Sequence, residues 1–240
     1  MNIQLPRLPK KKDHTPRVGV IIQARMTSKR FPGKSTALLL GKPVIQHVWE
    51  KARLIRPVDE IILAVPDDPA SEPLEALAEA ENIKGFKGSE HDVLERYYHA
   101  ADYYALDIIV RITGDCPFIN PRVSSEVVQL LLWRKFDYTS NVYPKRTYPK
   151  GLDTEAFTFD CLEAAHVSAT DPSDREHVTP WMQRTAGVRT GLVSQSLDAS
   201  HNNWCVDEPQ DLERLEKLFA ENASGEAIVA KTSIWSGNGQ

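Results

Sequence analysis

An alternation of short and long segments constrains this chain more than any other feature. Short runs rich in β-branched residues, VGVIIQA (18–24), EIILAV (60–65) and DIIVRIT (107–113), alternate with longer stretches whose apolar residues recur at helical spacing. The longer stretches are PVIQHVWEKARLI (43–55), SEPLEALAEAEN (71–82), EHDVLERYYHAADYYA (90–105) and PRVSSEVVQLLLWRK (121–135). Apolar runs with no polar face belong to strands covered on both sides. Strand and helix in succession build a mostly parallel mixed sheet between two helical layers, a three-layer α/β/α, Rossmann-like arrangement.

WCVD (204–207) reads as a further short strand. Beyond residue 135 the pattern loosens: DYTSN and GLDTEAFTF (151–159) read as strands that are antiparallel or at a sheet edge. DREHVTPWMQRTA (174–186) reads as a helix interrupted by Pro180, and PQDLERLEKLFAEN (209–222) as a final helix with one apolar face. The expectation is one domain over residues 16–222, with a flexible tail at 1–15 and a loose one at 223–240.

Open α/β sheets bind ligands at the carboxyl ends of their strands, so the residues just after each strand matter most. After the first strand comes QARMTSKRFPGKST (23–36). Gly33-Lys34-Ser35 imitates the end of a phosphate-binding P-loop, G-x-x-x-x-G-K-[ST], but Ser28 stands where the first glycine is required. Pro32 removes a backbone donor, and Gly41-Lys42-Pro43 breaks the chain where a P-loop helix would run on. What remains is charge: Arg25, Lys29, Arg30 and Lys34 with no acid among them. Such a loop is either solvated or folds around a triphosphate, with arginines as bidentate clamps and lysine as a point charge.

Asp115 ends the strand DIIVRIT in RITGDCPFINP (111–121), and Asp207 ends the run in NNWCVDEPQDL. A carboxylate opposite a cationic phosphate loop makes chemical sense with Mg²⁺ between them, because Mg²⁺ takes one or two carboxylates and fills its shell with phosphate oxygens and water. Each has a structural alternative: an Asx turn for Asp115, and a helix capping box with Gln210 for Asp207.

Bulk properties exclude other classes. Formal net charge is -4, which lends no support to a nucleic-acid partner. No apolar run is long enough for a membrane span, and the basic, proline-broken amino terminus has no signal-peptide core. Cys116, Cys161 and Cys205 are scattered, as reduced thiols of a cytoplasmic protein would be.

Read together, Arg25, Ser28, Arg30, Pro32 and Lys34 resemble the A-R-x-x-S-x-R-x-P-x-K signature of the cytidylyltransferases that activate acidic sugars, the CMP-Kdo and CMP-N-acylneuraminate synthetases among them. The likeness is greater to the spore-coat-polysaccharide branch, and it runs in order through IIQARM, GKPVIQHV, GSEHDVLERYYHAA, VRITGDCPFI, GLDTEAF, REHVTP and WCVDEPQDL. Thr27 departs from it, since glycine is more usual there. The resemblance implies a nucleotide-diphospho-sugar transferase fold, CTP as co-substrate, Mg²⁺, release of pyrophosphate, an anionic small-molecule acceptor and a homodimer.

By position, Arg25, Ser28, Arg30 and Lys34 would bind the triphosphate, with Arg25, Lys34 and Asp115 catalytic and Asp115 and Asp207 holding the metal. Ser89, Asp92 and Val93 would lie by the nucleoside, although Ser89 and Asp92 also fit an N-capped helix start. Arg111 either reaches the nucleotide or is a strand-end ion-pair residue. Asp153, Glu155, Arg175, Glu176 and His177 are the candidate acceptor contacts. The alternatives for these are the solvent face of an edge strand for Asp153 and Glu155, and a structural histidine at 177. A sugar-acid acceptor would give a CMP-sugar, a phosphorylated one a CDP-linked product.

Overall fold

The computed structural model describes residues 15–221 and 233–238, so most of both expected tails lies outside the described residues. Strand β1 (Val18–Gln23) is followed by a small hairpin, β2 (Leu38–Leu39) and β3 (Lys42–Pro43), and helix α1 (Val44–Ala52). Next come β4 (Glu60–Pro66), α2 (Glu72–Ala80), β5 (Lys84–Gly88), α3 (Val93–Tyr103), β6 (Ile108–Thr113) and α4 (Pro121–Arg134). The second half holds β7 (Tyr138–Ser140), β8 (Glu155–Thr158), α5 (Phe159–Ser168), α6 (Pro172–His177), α7 (Pro180–Arg184), β9 (Thr190–Ser194), α8 (Gln210–Glu221) and β10 (Ile234–Gly237).

The main sheet runs β10-β9-β7-β8-β6-β1-β4-β5. β1 pairs in parallel with both β4 and β6, and β4 with β5, whereas β8 runs antiparallel to β6 and β7. Period-two alternation along β1 explains its unbroken apolar sequence. Val20 and Ile22 enter the core beneath α1, α2 and α4, while Ile21 enters the opposite core beneath α3 and α5. All three are fully buried, and each contributes about 1.5–3 kcal/mol relative to an exposed side chain. The chain leaves β1 toward β4 and β5, then returns to place β6 on the other side. That reversal opens a crevice at the carboxyl ends of β1 and β6, the usual ligand position in such sheets.

Two expectations change, and two readings that stood open are resolved. WCVD is extended but not a strand: the N–H of Trp204 goes to the Lys150 carbonyl and that of Val206 to the Asp115 carbonyl, so the segment stitches two loops together. β8 is interior rather than at an edge, since β7 returns beside it. Residues 174–186 form two short helices, because Pro180 starts a new one at α7. Residues 234–237, expected to be loose, form edge strand β10 antiparallel to β9, anchored by Trp235 against Trp133 at 5.4 Å between ring centroids. Among the described residues, no helix is long and apolar enough to cross a membrane.

Candidate active site

The loop after β1 folds back on itself. The N–H of Gly33 donates to the Met26 carbonyl at 2.9 Å, and Met26 and Phe31 pack against the core, so the polar residues between them are presented outward. Lys34 then projects across the crevice. Its Nζ donates to Asp115 Oδ2 at 2.5 Å and lies 3.5 Å from Asp207 Oδ1. Arg30 reaches the same Asp207 oxygen at 3.0 Å. Arg25 and Lys29 are exposed and make no ion pair among the described residues.

The two carboxylates arrive from different directions. Asp115 follows β6 directly. Asp207 is held by the stitch between residues 115 and 206, and it is free of capping duty. Asp211 instead turns back, its Oδ2 accepting from the N–H groups of Asp207 and Glu208 at 2.8 Å each. Sequence reading assigned that duty to Asp207 itself as an alternative, and the structure removes it.

A third cation was not foreseen. Lys150 Nζ donates to Asp207 Oδ2 at 2.9 Å. Its position depends on Gly151, whose φ is +102° and where a Cβ would stand 2.7 Å from the Trp204 carbonyl carbon. Only glycine lets the 145–152 loop lie against residues 203–205. No feature of YPKG by itself points to this contact.

Electrostatics follow from this crowding. Burial alone would raise the Asp207 carboxyl, but Lys150, Lys34 and Arg30 outweigh it and hold it below the usual carboxylate range. The hydrogen bond to Asp207 raises Lys150 in turn, against its own burial. Both carboxylate-bearing segments also carry a buried thiol, with Cys116 Sγ 3.6 Å from Cys205 Sγ. That contact and burial push the Cys116 thiol well up, which keeps it protonated.

The other expected residues divide. Ser89 and Asp92 sit at the α3 amino terminus: Ser89 Oγ accepts from the Asp92 N–H, and Asp92 Oδ1 accepts from the Glu95 N–H. Val93 is buried beside them. Arg175 donates from Nε and Nη2 to Asp92 Oδ2 at 2.8 and 2.6 Å, joining an expected acceptor contact to an expected nucleoside contact. Asp153 is clamped by Arg146 at 2.5 and 2.7 Å.

Arg111 and Glu155 pair with each other inside the sheet. Glu155 also accepts from Tyr138 Oη at 2.6 Å and Gln183 Nε2 at 3.2 Å, and Arg111 Nε donates to Gln23. Their charged groups are thus engaged with each other and with these neighbours, which matches the ion-pair alternative for Arg111. The reason is the interior place of β8, which puts Glu155 directly opposite Arg111. Glu176 and His177 are exposed on α6, and no hydrogen bond or ion pair joins them to the Lys34 cluster.

Among the described residues, no three acidic, cysteine or histidine side chains converge as a closed metal cage. Asp115 and Asp207, both turned to Lys34 Nζ, are a donor set of two carboxylates. That set suits Mg²⁺, which draws its remaining ligands from phosphate and water. Cations and two carboxylates thus meet beyond the carboxyl ends of β1 and β6, where the strand order reverses and where open α/β sheets place their ligands.

The family comparison agrees with that placement. The chain matches the cytidylyltransferase family model over residues 19–234 and belongs to that family. It is a nucleotidyltransferase, an enzyme of the cytidylyltransferase class. It is 37% identical over 162 residues to an uncharacterised protein of Methanocaldococcus jannaschii, covering 68% of this chain and 65% of that one. It is 27% identical to the spore coat polysaccharide biosynthesis protein SpsF of Bacillus subtilis, covering 89% and 91%. The match to 3-deoxy-manno-octulosonate cytidylyltransferase of Geobacter sulfurreducens, at 34% identity, covers 46% of this chain and 44% of that enzyme. This chain thus spans less than two thirds of two of these relatives. A solved cytidylyltransferase from Leptospira borgpetersenii superposes with a TM-score of 0.79 at 26% identity, covering 92% of this chain and 99% of that one.

Proposed function

We propose that this enzyme transfers CMP from CTP to an acidic sugar, releasing pyrophosphate, in the manner of the branch that supplies surface polysaccharides. One observation carries the reading: a single ammonium, Lys34 Nζ, is shared by two carboxylates, Asp115 just beyond β6 and Asp207 in the segment stitched to it, and Asp207 also binds Arg30 and Lys150. Cations outnumber acids there, and a triphosphate is the ligand that would balance them.

In this reading Arg25, Ser28, Arg30 and Lys34 hold the triphosphate and fix the α-phosphorus for attack. Ser89, Asp92 and Val93 line the nucleoside end. Bound at Asp115 and Asp207, Mg²⁺ supplies charge neutralisation at the phosphate oxygens. An acceptor oxygen bonds to the α-phosphorus while the bond to the bridging oxygen of pyrophosphate breaks, and a hydroxyl acceptor releases its proton. Lys34 and the arginines stabilise the charge on the departing pyrophosphate. Asp153, held by Arg146, and Arg175 are the acceptor-side candidates. An anionic acceptor fits the cationic 145–152 loop, and the likeness to the Geobacter 3-deoxy-manno-octulosonate enzyme supports a sugar acid.

The test is pyrophosphate release with each of the four NTPs against a panel of sugar acids and phosphorylated sugars. CTP-dependent release with a sugar acid is the expected result. Release only with phosphorylated acceptors would replace the CMP-sugar product by a CDP-linked one, and no release with any pair would remove the proposal.

A further inference from the structure

Arg96 lies near the start of α3 and is only 3% exposed. A guanidinium has five N–H donors and no acceptor, and arginine is seldom buried unless paired. Arg96 makes one hydrogen bond, from Nη1 to the Ser89 carbonyl at 2.5 Å, and no ion pair among the described residues. Its Nε is buried without an acceptor. Nη2 makes no hydrogen bond among the described residues either. The Nε–Nη2 edge, two parallel donors suited to a bidentate acceptor, is therefore unpartnered.

Position shows what surrounds Arg96. A Cβ on Gly88, the last residue of β5, would stand 3.0 Å from Arg96 Cγ, so the arginine stem fills space that only glycine leaves. Burial lowers the proton affinity of Arg96, Tyr97 opposes that, Arg25 lowers it further and Glu90 opposes it in turn. Arg25 belongs to the basic loop, so Arg96 stands within electrostatic reach of the phosphate cradle. An arginine so deeply buried, with no carboxylate paired to it, is costly unless a ligand completes it.

We infer that Arg96 is a specificity-determining residue that donates to the base of the bound nucleotide, at the adjacent O2 and N3 acceptors of cytosine. The inference rests on the cytidylyltransferase reading of this site and names the part that selects the base. Cytosine offers two acceptors side by side, whereas uracil carries N–H at position 3 and would set donor against donor. Leaving one buried donor unpaired penalises the wrong base more than a good contact rewards the right one.

The experiment is calorimetric titration with Mg²⁺ present, using CTP, UTP and 3-deazacytidine triphosphate, which has carbon in place of N3. The wild-type protein is expected to bind CTP about 10- to 100-fold more tightly than either of the others. In Arg96→Lys the three affinities should converge to within about threefold. The analogue arm needs no variant, so it stands even if substitution unfolds the protein. Equal binding of CTP and its 3-deaza analogue by the wild type would overturn the inference and leave the active-site reading standing. So would an Arg96→Lys protein that keeps its full preference for CTP over UTP, since Arg96 would then merely brace the Ser89 carbonyl. No binding of any cytidine nucleotide would instead remove the active-site reading, and this inference with it.

Discussion

Two assemblies of cations and carboxylates lie a few residues apart along β6, and they are built on opposite plans. In the first, Arg111 and Glu155 face each other across the β6–β8 ladder, with Tyr138, Gln183 and Gln23 taking up the remaining bonds. Burial works against the Arg111 charge, but Glu155 outweighs it, so the guanidinium stays charged. In the second, beyond the strand end, Lys34, Arg30 and Lys150 crowd two aspartates in a half-open crevice, with Arg25 and Lys29 unpaired nearby. The first is closed and balanced; the second is open and carries surplus charge. An ion pair therefore does not mark a site by itself. Unbalanced charge at a strand end does.

Substitutions should separate the two plans. Asp115→Asn is expected to lower CTP turnover by at least about 1000-fold with little change in melting temperature, measured by pyrophosphate release and calorimetry. Near-normal turnover would take Asp115 out of the centre. Glu155→Gln should do the reverse: it leaves the Arg111 charge without its counter-ion and costs about 3–5 kcal/mol in denaturant unfolding. The protein that remains folded should keep its turnover, and a specific loss of activity would erase the distinction between the plans.

Lys34→Met is expected to lower kcat/KM for CTP by about 100-fold while leaving the KM for the acceptor nearly unchanged. Equal losses for both substrates would make Lys34 a general brace. The smallest effect lies outside the Lys34 cluster, at the residue before Tyr138. The hydrogen bonds from Arg189 hold Asp137 below its ordinary value of 3.8. A carboxylate with a depressed folded pKa stabilises the protein above its unfolded pKa, and that contribution is lost as pH falls through the folded value. Asp137→Asn should therefore reduce stability at neutral pH, flatten its decline below about pH 4 and leave catalysis untouched.

Much of this arrangement is legible in the sequence, and the boundary has physical causes. The apolar runs of β1, β4 and β6 announce strands because both faces are buried, and the strand-end rule then brings the basic loop and Asp115 together. KGFKG at β5 does not announce itself, because an exposed edge strand has no need of apolar residues. What the sequence left unseen at Glu155 and Asp207 has one origin. Each residue's role is set by a non-local partner: Arg111 through the antiparallel insertion of β8, and Lys150 through the close approach at Gly151. The acceptor candidates Asp153, Glu155 and Arg175 pair with Arg146, Arg111 and Asp92, because a short motif shows spacing along the chain but not which neighbour engages each side chain.

The central claim is that Asp115 and Asp207 hold a metal on the nucleotide while the basic loop holds its phosphates. Calorimetric titration of CTP with and without Mg²⁺ tests it most directly, in the wild type and in Asp207→Asn. The account predicts that Mg²⁺ tightens CTP binding to the wild type. Asp207→Asn should lose that response, yet bind metal-free CTP at least as well, since a negative charge facing the phosphates has gone. An unchanged Mg²⁺ response in Asp207→Asn, or weaker metal-free binding, would contradict it.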